Sequence, residues 1–396
     1  MQNKKISVNS IPEITNINNI DNKLTFDVRN VHCSIVNSIR RTVLTRINTL
    51  VFRAFPYNQN DIDIDVNNTK FNNEYLKHRI SCLPIHINDS SLFQNFVESY
   101  EVQLDVINEG LEKLYVTTKD LKIVNKITKK ELPKEEVSKI FPADPITGDH
   151  ILICILYPNY NKGNENCEQL KLKCNFKIGN AKENSCWNVV SNCTYENTKD
   201  IEKIEKIRQT PEFQSQSKLS QMDYMLLDAQ RIFIPNKFKF TVESIGIFTN
   251  EYIMKMACEY LINQLSSVLQ MIQDKPKIVS IEENRFNTTN GMLTSDELEN
   301  IQNQYASLYK ENKFFILELK DDDYSIGKMI ENYLFNSFED KLKFVAFKKK
   351  YPSEPESYIY IQYKDELNEE VQLYEHLYQT CSQLVEMMKS IQNKFM

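Results

Sequence analysis

Residues 24–44 read LTFDVRNVHCSIVNSIRRTVL, and residues 315–335 read FILELKDDDYSIGKMIENYLF. The two stretches align without a gap: Ser34, Ile35 and Ile39 recur as Ser325, Ile326 and Ile330, while Leu24/Phe315, Val28/Leu319 and Val43/Leu334 keep their apolar character. Each copy opens with the apolar alternation of a strand, crosses a few polar residues and ends in apolar positions at helical spacing. Each predicts strand, turn, helix. Asn30 or His32 in one copy and Asp321 to Asp323 in the other offer polar side chains that cap the exposed amides of a helix start.

Each half then carries a second strand leading into a long amphipathic helix. Phe238 to Val242 has strand character, and residues 251–272 carry Met254, Cys258, Leu261, Leu265, Val268 and Ile272. In the other half, Leu342 to Phe347 and Tyr358 to Tyr363 read as strands across a turn with Pro352 and Pro355. Residues 366–393 follow, with Val371, Tyr374, Leu377, Cys381, Leu384, Met388 and Ile391. Spacings of three and four put one apolar seam on each helix. Both seams are expected in the core, packed together.

A long interval separates the first helix from the strand at 238, which calls for an inserted domain. Its strand candidates are Glu101 to Val106, Leu114 to Thr117, Ile151 to Leu156 and Leu170 to Phe176. Thr198 to Ser220 is expected to be a flexible return. Asp274 to Lys313 reads as a polar linker with a helix from Ser295 to Tyr309.

Composition narrows the function. The chain has 396 residues, 48 Lys+Arg against 54 Asp+Glu, a net charge of −6, and 26% charged and 41% hydrophobic residues. These values fit a globular protein of two or three domains and argue against wholesale disorder or nonspecific nucleic-acid binding. The seven glycines are too dispersed for a phosphate-cradling loop, and no two of the five histidines have the spacing of a helical zinc protease. Nine scattered cysteines without a CxxC pair argue against zinc and disulfides and for buried thiols in a reducing compartment. The longest apolar run, Ile151 to Tyr157, is too short to span a bilayer, and the amino terminus is polar. A soluble, intracellular chain is expected, with no membrane contact.

The carboxylates read as structural. Asp321 to Asp323 complement the dipole of a helix start and cannot all face one ion. Asp61, Asp63 and Asp65 alternate with Ile62, Ile64 and Val66, the pattern of a strand with one solvated face. The helix from Ser34 to Ile47 is more informative. Ile35, Val36, Ile39, Val43 and Ile47 share one face, leaving Arg41 nearly opposite and expected to be exposed, with Arg40 at the margin. Such a guanidinium pair suits bidentate recognition of a partner's carboxylate, although a solvated face fits the same periodicity. The second copy has Glu331 and Asn332 at these positions, so any such contact belongs to the first half. Lys348 to Lys350 is a single short basic run and gives no DNA-binding footprint.

The segment Asn30 to Leu50, with its core Asn37-Ser38-Ile39-Arg40-Arg41, resembles the signature of the third-largest RNA polymerase II subunit and its archaeal D and bacterial alpha relatives. Three more stretches follow in the family's order. Glu74 to Pro84, EYLKHRISCLP, is similar to the family's EFIAHRLGLIP and keeps Glu74, His78, Arg79, Leu83 and Pro84, with Ser81 in place of a glycine. Gly179 to Trp187, GNAKENSCW, and Phe240 to Gly246, FTVESIG, resemble two further motifs. Asp322 to Phe335, containing Gly327, is similar to a helix of the eleventh RNA polymerase II subunit and the archaeal L subunit.

The resemblance implies an α+β chain that fuses two alpha-subunit-like dimerisation modules, packed as an intramolecular pair, with a β-rich domain inserted in the first. Residues 1–48 and 221–275 would form the first module, 49–220 the insert, 276–312 the linker and 313–396 the second module. It implies a noncatalytic assembly subunit of a DNA-directed RNA polymerase, without catalytic residue, cofactor or metal. Asn37, Arg40 and Arg41 would bind the second-largest subunit. The largest and the small subunits would be further partners, and DNA would be met only through the complex. Glu74, His78, Arg79, Pro84 and Gly327 would be structural. Many eukaryotic relatives carry a zinc-binding cysteine cluster after Pro84, and residues 85–100 contain no cysteine. Fused partners are characteristic of large DNA viruses, so host cytoplasm or the virion is the expected site of action, with the nucleus also open. A stand-alone regulator or scaffold derived from such a subunit is the alternative. An unrelated metal-dependent hydrolase is the third class.

Overall fold

The computed structural model describes residues 11–20, 22–158, 167–273, 279–281, 314–320, 324–351, 354–364 and 369–395. Glu13–Ile20 (β1) and Lys23–Arg29 (β2) form an antiparallel pair in which Leu24, Phe26 and Val28 point into the core. Cys33–Thr45 (α1) follows, capped by His32, whose ring Nδ1 accepts the Ser34 amide at 3.2 Å. Asn30 instead turns the chain with a φ of 63°.

The next segment comprises Thr49–Val51 (β3), Ile62–Asn67 (β4), Asn73–Ser81 (α2), Phe93–Ser99 (α3), Tyr100–Ile107 (β5), Leu114–Thr117 (β6), Lys122–Asn125 (β7), Lys134–Ile140 (α4), Leu152–Leu156 (β8), Gln169–Asn175 (β9) and Lys177–Gly179 (β10). The strands make one sheet in the order β4-β9-β5-β7 and two pairs, β6-β8 and β3-β10. Phe52, Phe141 and Phe176 stack in the core beneath them. On β4, Ile62 is buried while Asp63 and Asp65 face solvent, the alternation expected of a one-sided strand.

Val190–Lys199 (β11) leads into three short helices, Ile201–Arg208 (α5), Pro211–Gln214 (α6) and Lys218–Leu226 (α7). The expected flexible return at 198–220 is therefore corrected to helix. Asp200, Thr210 and Ser217 each accept an amide near the start of one helix, and Ile204 and Phe213 bury themselves beneath the turn. Phe233–Ser244 (β12) and Asn250–Gln273 (α8) follow. The last elements are Val279–Ile281 (β13), Phe314–Lys320 (β14), Tyr324–Ser337 (α9), Leu342–Lys348 (β15), Glu356–Tyr363 (β16) and Glu369–Gln392 (α10). The caps expected at Asp321 to Asp323 and the helix expected at Ser295 to Tyr309 lie outside the described residues. Strand β13 was not anticipated within the linker.

Two sheets repeat one another. Their orders are β1-β2-β12-β11 and β13-β14-β16-β15; α1 follows β2 as α9 follows β14, and α8 follows β12 as α10 follows β16. The two quoted stretches thus occupy equivalent places in equivalent units. Along the seams, Met254, Cys258, Leu261 and Leu265 on α8 and Leu377, Cys381, Leu384 and Met388 on α10 are fully buried, and the two helices pack along each other. Beyond α10, Phe395 reaches back to the first sheet and meets Phe26 edge-on at 5.0 Å between ring centroids.

Gly327 fixes how closely α9 lies on its sheet, because a Cβ there would land on the Phe347 ring. Alanine improves helix propensity by about 1 kcal/mol, but the buried ring would have to leave its seat. Gly327→Ala is expected to destabilise the protein by about 1–3 kcal/mol, read from its urea midpoint.

Candidate subunit interface

Helix α1 is covered on two sides. Ile35, Ile39 and Val43 supply the apolar face, and Ser34, Ser38 and Thr42, spaced four apart, are also buried. Small side chains on that second row let α9 approach closely. The Ser38 hydroxyl lies 2.7 Å from the carbonyl oxygens of both Ser34 and Ser325 and shares its one proton between them. The His32 amide donates to the Tyr333 hydroxyl at 3.3 Å, and burial pushes that phenol up to about 12. The start of α9 thus lies beside the middle of α1, and Tyr333 near its start. The two helices run antiparallel.

This arrangement corrects the expectation for Arg41. It is half-buried, and its Nε donates to Ser325 Oγ at 3.3 Å. Helix α9 covers the flank that carries Ser34, Ser38 and Thr42 and reaches Arg41 at its edge, which the periodicity of a single helix cannot reveal. Arg40 is also half-buried, and its Nε and Nη2 both donate to Asn37 Oδ1, at 3.1 and 3.0 Å. Asn37 and Arg40 therefore form one preset unit on the rim of α1, while Arg41 belongs to the α1–α9 contact.

The other singled-out residues lie on α2 and just beyond it. Glu74 and His78 are exposed, Pro84 is half-buried, and Arg79 donates to the Leu152 carbonyl at 2.7 Å. At the end of α2, the Ser81 carbonyl accepts the Trp187 indole N–H at 3.1 Å. Trp187 lies against Gly179, where any side chain would strike its ring and Val51. Arg53 stacks over the same indole and pairs with Glu183, and the Lys182 amide donates to Thr45 at the end of α1. At the last quoted stretch, the Ile245 amide donates to the Val189 carbonyl, and Gly246 turns with a φ of 99° beside His86. The stretch Gly179 to Trp187 is thus tied both to the end of α2 and to the end of α1, and the stretch Phe240 to Gly246 lies against residues just beyond two of the others.

Cys154, Cys174, Cys193, Cys258 and Cys381 are buried free thiols whose pKa burial raises, for Cys193, Cys258 and Cys381 to about 12. They are packing groups, not nucleophiles. Among the described residues no group of three or more His, Cys, Asp or Glu is placed to hold a metal ion, and no helix is long and apolar enough to cross a membrane.

The family model for the RNA polymerase Rpb3/Rpb11 dimerisation domain matches residues 25–265. The chain belongs to this family. The match begins in β2, takes in α1 and α2, and ends within α8. Family membership carries association with other RNA polymerase subunits and agrees with the α+β architecture. No curated protein matches the chain.

The interface residues that sequence reasoning missed are Ser34, Ser38, Thr42, Ser325 and Tyr333. A row of small residues four apart on α1 was the available signal. Ser325, the recurring partner of Ser34 in the repeat, was a second.

Proposed function

We propose that this chain is a noncatalytic assembly platform of a multisubunit DNA-directed RNA polymerase, uniting in one polypeptide the two partners of the alpha-like pair. The observation that carries the reading is the second unit, β13 to α10. It lies outside the family match, repeats the strand order of the first sheet, and packs on α1 and α8. On this reading residues 1–48 and 221–275 form the first module, whose sheet also takes strand β11 from within 49–220, the rest of 49–220 forms an inserted domain, and 276–312 is a linker whose strand β13 joins the sheet of the second module, 313–396. The exposed row Leu219, Met222 and Leu226 on α7, at 70%, 61% and 67% of full accessibility, favours an assembly role, since a chain acting alone seldom leaves such a row in water.

The Asn37–Arg40 unit then docks the second-largest subunit, and Arg41 supports it from within the α1–α9 contact. The largest and small subunits join the same platform, and DNA is reached through the assembly. The Gly-poor composition, rich in Asn, Ile and Lys, favours a large DNA virus as the source, with host cytoplasm, virion or nucleus as the working compartment.

Tagged purification at gentle salt with mass spectrometry tests this. Both largest polymerase chains are expected with the wild type, and recovery of the second-largest should fall roughly tenfold in Arg40→Ala, as for an interfacial anchor. Arg41→Ala should lower the melting temperature as well. Absence of every polymerase chain from the wild-type sample would replace this reading with that of a stand-alone scaffold.

A further inference from the structure

A small cavity of about 200 Å³ opens between the start of α2 and strand β8, outside the α1 interface. Its walls include Phe71, Cys154, Ile155 and Tyr157, and Arg79 and Lys70 stand at its edge. Binding pockets for small molecules usually measure roughly 300–1,000 Å³. This one has room for a single side chain.

Its rim concentrates positive charge. Lys70 Nζ lies 3.8 Å and Lys113 Nζ 5.2 Å from the centroid of the Tyr157 ring, and the Arg79 guanidinium lies 5.9 Å from that of Tyr75. None of the three cations pairs with a carboxylate among the described residues. Arg79 uses one nitrogen on the Leu152 carbonyl, while its buried Nε has no acceptor. The nearby Glu168 carboxylate is engaged by the Tyr157 amide at 2.6 Å, and Glu74 is exposed on the first turn of α2. Beside the cations, Phe71, Tyr75 and Leu152 remain exposed. Like charges gathered around an apolar opening lack only their counter-charge.

We propose that this cavity docks an extended segment of another protein, with one apolar side chain in the cavity and neighbouring carboxylates on Lys70, Arg79 and Lys113. A nucleic-acid strand fits less well. The Tyr157 ring that would stack a base already carries two ammonium groups, and the cavity is too narrow for a nucleotide. The inference rests on the cavity and its rim, not on the polymerase assignment.

The test places a photo-crosslinker in the full chain by Phe71→p-benzoylphenylalanine, irradiates the native complex and sequences the adduct by mass spectrometry. An adduct on a protein segment with an apolar residue beside two or more Asp or Glu supports the proposal. A synthetic fluorescein-labelled copy of that segment should bind the full chain roughly tenfold more weakly after Lys70→Glu with Lys113→Glu. Both lysines are exposed, so the fold should survive, as an unchanged melting temperature would verify. The proposal is overturned by no adduct, a nuclease-sensitive adduct, a segment without carboxylates, or affinity indifferent to the charge reversal. Polymerase chains that still co-purify with the doubly substituted protein would leave the platform reading standing on its own.

Discussion

Phe26→Ala is expected to cost about 3–5 kcal/mol of stability, read as a lower urea midpoint with an unchanged slope. Phe26 is 2% exposed on β2 and sits directly opposite Phe240 on β12, with ring centroids 5.2 Å apart and planes 16° from parallel. Phe395, beyond α10, closes the third side edge-on. Deleting the central ring leaves a void walled by two aromatic groups held on separate elements, so the site cannot collapse cheaply. A double-mutant cycle with Phe395→Ala should give a coupling of about 0.5–1.5 kcal/mol, typical of an aromatic pair. Zero coupling would mean that the carboxy-terminal residues melt away from the first sheet before global unfolding.

Acid should weaken the fold well before the carboxylates titrate. Burial lowers the pKa of His32, His86 and His376 from the ordinary 6.5, and for His376 the adjacent Lys341 adds to the effect. A histidine held neutral in the fold takes up a proton on unfolding. Its stabilisation is therefore complete above pH 6.5 and declines as the pH falls below it, by at most about 1.4 kcal/mol per pH unit for each histidine.

The geometry explains the direction. His32 Nδ1 accepts the Ser34 amide that starts α1, so a proton there removes the cap. His376, 5% exposed on α10, lies 3.4 Å from Lys341 Nζ through Nε2 and 2.8 Å from the Tyr363 hydroxyl through Nδ1, with Phe338 stacked on its face. Charging it would put two cations in contact, relieved only in part by Glu375. Urea midpoints should fall between pH 7 and pH 5, and His376→Gln should flatten that fall. Equal slopes in both proteins would rule out His376 as a contributor.

Much of this architecture was legible because the repeat carries two periodicities in fixed order. Leu24, Phe26 and Val28 announce a strand, and Ile35, Ile39 and Val43 a helix; both are buried as expected. Strand β1 was not legible. Its register shifts between Thr15 and Asn18, where Asn16 has a φ of 55°, so Ile14 is buried while Ile17 and Ile20 point to solvent and no alternation survives. The 201–226 helices were missed because they bury little beyond Ile204 and Phe213: α5 is mostly charged, α6 is a single turn, and the apolar residues of α7 stay on the surface, so no buried face marks them as helix. At the candidate interface, the chemistry of Asn37, Arg40 and Arg41 was visible but their neighbours were not. A residue's angle around its own helix gives its direction, and only the tertiary fold decides whether another helix stands there.

The antiparallel contact of α1 with α9, and the packing of α8 on α10, join helices that belong to one chain. Two separate polypeptides held by the same surfaces would part on dilution below their dissociation constant and could exchange mates. A covalent connection holds the second surface at an effective concentration on the order of millimolar however dilute the protein becomes. The closure is unimolecular: its melting temperature should not vary with protein concentration, its stoichiometry is fixed at synthesis, and a competing copy would have to approach that effective concentration to capture one half.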